Sequence, residues 1–370
     1  MRDAIDRQSR KKHRHSLKLK HQLEKSFAVD DHLVGPGHPC FVIAEIGQAH
    51  DGSLGAAHAY VDAVAKTGAQ AVKFQTHIAD AESSHDEEFR VNGFPQDSTR
   101  YDYWKRMEFT ETQWAALAKH AADKGLVFLS TPFSFEAVEL LERLGVPAWK
   151  IGSGETGNLA MLEKIAKTQK PILLSSGMSY WKELDEAISV LSGHHGKVGV
   201  FQCTTSYPCP PEKLGLNVIR EIGDRYGCPT GLSDHSGTIY PSLAAVVLGA
   251  NMIEAHVVLS RDSFGPDVTS SVTIEELKVI VEGVRFTEKS LASIIDKDLE
   301  AEAMADLRQL FGRSIYFSRD LEQGHELALS DISLKKPGTG IPAKMLDRYI
   351  GRKLTKACSE GEQLKEDDFS

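Results

Sequence analysis

Eight short apolar runs, each followed by an amphipathic stretch, constrain the fold of this 370-residue chain more than any other feature. The runs are Phe41–Ala44, Ala71–Phe74, Leu126–Leu129, Ala148–Ile151, Ile172–Leu174, Val198–Phe201, Thr230–Leu232 and Met252–Ala255. Between them lie helix-patterned segments such as Thr112–Ala122, Phe135–Leu144 and Leu216–Tyr226, with a last one at Ile274–Ser290. Strands that are apolar on both faces and separated by helices predict a parallel sheet covered on both sides. Eight such units over ~250 residues match an α/β protein of the (β/α)8 (TIM) barrel type. A doubly wound open sheet is the competing architecture, but no GxGxxG follows the first run.

A barrel places its chemistry at the C-terminal ends of the strands. Every run ends in groups that can donate, accept or ligate: Glu45; Lys73 and Gln75; Ser130 and Thr131; Lys150, Ser153 and Glu155; Ser175 and Ser176; Gln202, Thr204 and Tyr207; Ser233, Asp234 and His235; Glu254 and His256. Lys73 and Lys150, with hydroxyls from Ser153, Ser175 and Ser233 and the Gly152-Ser153-Gly154 turn, suit a phosphate or carboxylate. The plain alternative is that the two lysines pair with Glu45 and Glu155, and pairing and anion binding are compatible. His235 and His256 end adjacent strands and form a candidate divalent-metal pair, with Asp234 as the carboxylate that would fix the His235 tautomer. Glu45 and Glu155 face one another across such a barrel as a candidate acid/base pair. Anion site, metal and carboxylates together fit addition of a phosphorylated enol to a carbonyl.

The rest of the chain is read in four pieces: a basic arm 1–34 expected to be disordered, the barrel 35–292, a charged linker 293–308 and a small domain 309–370. Residues 1–25 hold nine Lys/Arg against three Asp/Glu, while the whole chain carries −9. No aromatic is interleaved with those charges, so a solubilising tail is preferred to a nucleic-acid contact. Five scattered cysteines without a CxxC pair point to a reduced, cytoplasmic protein without structural zinc. The longest apolar stretch, 242–258, is interrupted by Glu254 and His256, so no membrane association is expected.

With these residues in place the chain resembles the sialic acid synthase family, which condenses phosphoenolpyruvate with an N-acylated hexosamine. The motifs are AEIGQAHDGSL (44–54), AVKFQTH (71–77), FLSTPFS (128–134), WKIGSGE (149–155), ILLSSGM (172–178), GLSDH (231–235), EAHVV (254–258) and FGPD (264–267). The final segment, with KKPGTGI (335–341), resembles the antifreeze-like, or SAF, domain of these synthases. The resemblance implies that Lys73, Gln75, Thr131, Lys150, Ser153, Ser175 and Ser233 hold phosphoenolpyruvate, with Glu45 lining the same pocket. It implies His235 and His256 as ligands of Mn2+ or Mg2+, Glu155 as the carboxylate managing protons, and Tyr207 and Asp267 as sugar contacts. It also implies a homodimer that exchanges its C-terminal domains.

Three features depart from the family pattern. Lys336 stands where relatives offer an Arg to the sugar's N-acyl group, a change that keeps charge but loses the planar fork. Gln48-Ala49 stands where relatives carry Asn before His, and the segment Val91–Tyr103 is long. All three bear on the sugar: N-acetylmannosamine is the simplest choice, with legionaminic-type or pseudaminic-type precursors, or a route to a 9-phosphate, as alternatives. The SAF segment argues against the related synthases of shorter 3-deoxy acids, and the intact rim against a binding protein on an idle barrel.

Overall fold

The computed structural model describes residues 21–90 and 96–369, so most of the basic arm lies outside the described residues. The chain divides into two compact units, Met1–Ala292 and Ser293–Ser370.

The first unit is the (β/α)8 barrel. Strands β1 (Phe27–Val29) and β2 (His32–Val34) precede the eight barrel strands. These are β3 (Phe41–Gly47), β4 (Ala71–Thr76), β5 (Val127–Pro132), β6 (Trp149–Ile151), β7 (Ile172–Ser175), β8 (Val198–Cys203), β9 (Thr230–Asp234) and β10 (Met252–Val258). All pair in parallel in the order β5-β4-β3-β10-β9-β8-β7-β6, and β5 packs beside β6, so the barrel is nearly closed. A short β11 (Val272–Thr273) adds to β10. Ser53, Thr110 and Ser134 each cap a covering helix by accepting a first-turn backbone N–H.

Side-chain alternation along each strand sorts the residues into two cores. Val42, Ala44, Val72, Phe74, Phe128, Trp149, Ile151, Leu174 and Val200 face the helices. Phe41, Ile43, Ala71, Val127, Leu129, Ala148, Leu173, Phe201 and Met252 fill the barrel interior.

Phe27, Val29 and Val34 belong to that interior cluster, which corrects the reading of residues up to 34 as a disordered arm. The antiparallel β1–β2 hairpin buries these three side chains against the lower layer of the barrel, a contact that a basic context hides from the sequence. Among the described residues no helix is long and apolar enough to cross a membrane.

The second unit pairs β12 (Ser314–Phe317) with β13 (Ile332–Lys335) in antiparallel fashion. Ile315, Phe317, Leu321, Leu327, Tyr349, Leu354, Cys358, Leu364 and Phe369 form its small core. The expected linker is helical: Lys297–Ala303 and Ala305–Phe311 are two short helices, the first capped by Asp296. Asp331 is fully buried and accepts from the Arg319 guanidinium, the His325 ring and the Ala328 backbone N–H. Those donors hold its carboxyl down at about 2 against burial, which alone would raise it.

Candidate active site

The alternation that sends Phe41 and Ile43 inward also sends Glu45 inward, one layer higher. Likewise Ala71 leads to Lys73 and Gln75, Leu129 to Thr131, Ala148 to Lys150, Leu173 to Ser175 and Met252 to Glu254 and His256. The polar layer therefore sits on the apolar one, at the C-terminal mouth. A cavity of about 390 Å³ opens there. Glu45, Lys73, Gln75, Thr131, Lys150, Ser153, Glu155, Ser175, Ser233, Tyr207, Asp267, His235 and His256 all line it. Lys336 lies in the second unit, its Nζ 4.7 Å from the centroid of Phe311.

At the floor, four buried charges interlock. Lys73 Nζ lies 2.8 Å from Glu45 Oε2 and 3.7 Å from Glu254 Oε2. Lys150 Nζ lies 3.3 Å from Glu254 Oε1 and donates to Ser175 Oγ at 2.7 Å. The partner of Lys150 is thus Glu254 and not Glu155. Ser233 Oγ donates to Glu254, and Lys73 donates to Thr131 Oγ1. Burial pushes Glu45 up to about 7, against the pull of Lys73. Burial acts the same way on Glu254, but Lys150 and Lys73 outweigh it and hold that carboxyl down at about 2. Burial lowers Lys150, whereas Glu254 and Glu45 keep Lys73 above its usual value. Glu254 is thus held in its ionised form, while burial shifts Glu45 toward its neutral form beside the two lysines.

His235 and His256 stand with ring centroids 5.0 Å apart. His235 Nδ1 lies 3.0 Å from the Thr204 carbonyl, and donation there leaves Nε2 for a proton or a metal ion. This corrects the role expected of Asp234, whose two oxygens accept from the Ser236 N–H and hydroxyl in a local turn. Burial pulls His256 down to about 3, which keeps its imidazole neutral and able to ligate. Asp267 Oδ2 lies 3.7 Å from His256 Nδ1. Among the described residues no group of three or more His, Cys, Asp or Glu is arranged to hold an ion, so this pair would leave coordination positions for oxygens from water or substrate.

Glu155 follows β6 in the one-turn helix Ser153–Glu155, half-buried at the cavity wall. Burial raises its pKa, Asn158 opposes this by donating to Oε2 at 3.1 Å, and nearby Glu82 adds to the rise. Two glycines make room at this level. Gly47, at φ +53 beside an irregularity in β3, places its α-carbon where a Cβ would come 3.3 Å from Gln75 Nε2. A Cβ at Gly177 would lie 2.5 Å from the hydroxyls of Ser153 and Thr205.

Several wall residues carry no recognisable sequence signal. Arg90 pairs with Asp267 at 2.6 Å and places its guanidinium 4.1 Å from the Tyr207 ring centroid. Arg100 pairs with Glu87 at 3.2 Å. Cys203 ends β8 inside the cavity and accepts from Ser153 Oγ. Glu82 lines the same wall beside Gln48 and His77, which do fall within the motifs AEIGQAHDGSL and AVKFQTH. Glu254 has a legible signal, being two residues before His256 and hence on the same strand face.

The family model described as NeuB matches residues 60–296, and that of the SAF domain matches residues 312–370. The chain is 34% identical over 339 residues to N,N'-diacetyllegionaminic acid synthase of Legionella pneumophila, covering 89% of this chain and 94% of the relative. It is 31% identical over 345 residues to human N-acetylneuraminate-9-phosphate synthase, covering 90% and 94%. Among solved structures, N-acetylneuraminic acid (sialic acid) synthetase from Leptospira borgpetersenii, in complex with citrate, aligns at TM-score 0.68 and 28% identity, over 78% of this chain and 99% of that one. Its barrel and C-terminal unit matched in turn, the chain belongs to the NeuB family and is a nonulosonate-synthase-like enzyme with a C-terminal SAF domain.

Proposed function

We propose that this enzyme condenses phosphoenolpyruvate with a neutral N-acyl hexosamine and water to give a nonulosonic acid and phosphate. The observation that carries this reading is the pair of buried lysines, Lys73 and Lys150, drawn to one wall by Glu254 and surrounded by hydroxyls. Two ammonium groups in a low-dielectric floor bind the phosphate and carboxylate of a small trianion far better than they would in water. Ser153, Ser175, Ser233 and Thr131 line the cavity beside them with hydroxyls that an anion would draw toward itself, while Gln75 supplies an amide.

His235 and His256 are assigned as ligands of a divalent ion, Mn2+ or Mg2+; two adjacent imidazoles, that of His256 held neutral by burial, with free positions for oxygen fit that role. When bound, the ion would polarise the sugar carbonyl. The chain's own residues do the rest. The lysines hold the enol so that its C3 forms the new C–C bond with the aldehyde carbon. Water then adds at C2, and Glu155, with its raised pKa, takes that water's proton. It passes that proton to the former aldehyde oxygen, which becomes a hydroxyl, then takes the C2 hydroxyl proton and gives it to the leaving phosphate as the C2–O bond to phosphate breaks and the C2 carbonyl forms. Glu45, held near neutrality, buffers the charge on Lys73 as phosphate builds and departs.

A neutral sugar is supported by the cavity mouth, where Arg90 and Arg100 are each matched by a carboxylate. N-acetylmannosamine is the simplest such substrate; the Legionella relative's activity favours a 2,4-diacetamido sugar as the second reading. A panel of N-acetylmannosamine, its 6-phosphate and the diacetamido hexoses, scored by phosphate release, tests both. Fastest turnover with the 6-phosphate would overturn the neutral-sugar assignment.

We assign Lys336 to the sugar of the partner's site in a homodimer that exchanges SAF domains, supported by the small core of the SAF unit. Light scattering should give a dimer at micromolar concentration, and a monomer would contradict the exchange.

A further inference from the structure

We propose that Glu82 and His77 form a positioning dyad that fixes the amide orientations of Gln48 and Gln75, and through them the floor of the anion pocket. The identity of the anion as phosphoenolpyruvate rests on the function proposed above; the dyad itself rests on geometry.

His77 follows β4 and is buried, with its ring stacked between Trp104 (centroids 3.9 Å apart, planes at 18°) and Phe133 (4.5 Å, 9°). The two aromatic faces fix the plane of the imidazole, so its remaining freedom is which nitrogen carries the proton. Nδ1 lies 2.6 Å from Glu82 Oε1, and a carboxylate only accepts, so the proton sits on Nδ1. Nε2 then accepts from the Gln48 side-chain amide at 2.9 Å.

The consequence passes along the wall. The Gln48 amide nitrogen also donates to Gln75 Oε1, which turns the Gln75 amide nitrogen toward Glu45 Oε1 at 2.7 Å. The other Glu45 oxygen meets Lys73. Apart from a longer approach of His77 Nε2 to Gln75 Oε1 at 3.3 Å, each contact in the series Glu82–His77–Gln48–Gln75–Glu45–Lys73 pairs a donor with an acceptor. Moving the His77 proton to Nε2 would set N–H against N–H at Gln48. The acceptor left to that N–H is Gln75 Oε1 at 3.3 Å, so the Gln48 amide would lose its ring partner and with it its fixed orientation.

Packing alone does not call for these groups. Trp104 and Phe133 offer His77 only ring faces, which phenylalanine would satisfy equally. Gln48, a departure from the family motif, is the link through which His77 reaches Gln75.

The test uses the full chain with His77→Phe and Glu82→Gln. His77→Phe keeps the stack and removes both ring nitrogens; Glu82→Gln keeps the shape and offers Nδ1 a donor. In 15N-histidine NMR, the signal that disappears in His77→Phe should be an Nδ1–H tautomer in the wild type and an Nε2–H tautomer in Glu82→Gln. Phosphoenolpyruvate KM should rise roughly tenfold in both variants, as for loss of one hydrogen bond to a charged group, while kcat at saturation changes less than about threefold. An Nε2–H tautomer in the wild type, or unchanged KM in both folded variants, would overturn the dyad. If the wild type binds no phosphoenolpyruvate, the functional reading falls and the tautomer spectra alone decide the dyad.

Discussion

Lys150, on β6, and Glu254, on β10, meet across the barrel with 3.3 Å between Nζ and Oε1, and their side chains are 2% and 3% exposed. Because Glu254 also serves Lys73, removing it leaves two buried ammonium groups short of a partner. Glu254→Ala should cost about 3–5 kcal/mol of stability, as for a broken buried pair. Denaturant unfolding measures this, and phosphoenolpyruvate, which supplies the missing negative charge, should restore more stability to the variant than it adds to the wild type. Equal stability of variant and wild type would show that the lysines do not depend on Glu254.

Glu155→Gln should lower kcat by about 10²–10⁴-fold while leaving phosphoenolpyruvate affinity within about threefold. In the wild type the acidic limb of kcat against pH should lie above the ordinary glutamate range, since burial raises the Glu155 pKa and activity grows as it ionises. Asn158→Asp keeps an oxygen for the helix cap at Met161 N but exchanges the donor on Glu155 for a like charge. It should move that limb upward; a downward shift or none would remove Glu155 from the proton step.

His235→Ala and His256→Ala should each raise the Mn2+ concentration for half-maximal activity by about tenfold or more. The same loss should appear in direct metal titration by calorimetry. Unchanged metal binding in both variants would reject a shared ion.

In the SAF unit, the depressed Asp331 contributes stability that is fully present above its unfolded value of about 3.9 and is lost as pH falls through about 2. Hydrogen exchange of the Ser314–Phe317 amides in the full chain should therefore accelerate over that window. Asp331→Ala should bring faster exchange at neutral pH, at a cost of about 2 kcal/mol.

The barrel was legible because its signal is local: eight continuous apolar runs separated by helical patterns specify a parallel sheet, and side-chain alternation along each strand then gives which residues enter the cavity. Lys73, Lys150, Glu45 and the two histidines share that logic, so their convergence follows from strand registers such as Glu45 opposite both Lys73 and His256. The pairing of Lys150 with Glu254 was not legible, because barrel closure, not sequence distance, brings β6 and β10 face to face. His77 continues the Lys73–Gln75 alternation one step past β4, whereas Arg90 and Glu82 reach the cavity from the segment that follows, without a periodic pattern. Asp234 misled because a carboxylate next to a histidine is equally suited to the adjacent turn, and Ser236 claims it. The β1–β2 hairpin was hidden by its brevity, its apolar side chains few beside a basic run.

The central claim is that Lys73, Lys150 and Glu155 handle phosphoenolpyruvate with cleavage of its C–O bond. The most direct measurement is turnover of phosphoenolpyruvate carrying 18O in the bridging position, with N-acetylmannosamine or a diacetamido hexose and Mn2+, followed by mass spectrometry of both products. The expected result is one phosphate per nonulosonic acid, with the label in the phosphate. Label retained in the sugar acid, or no phosphate released with any of these sugars, would contradict it.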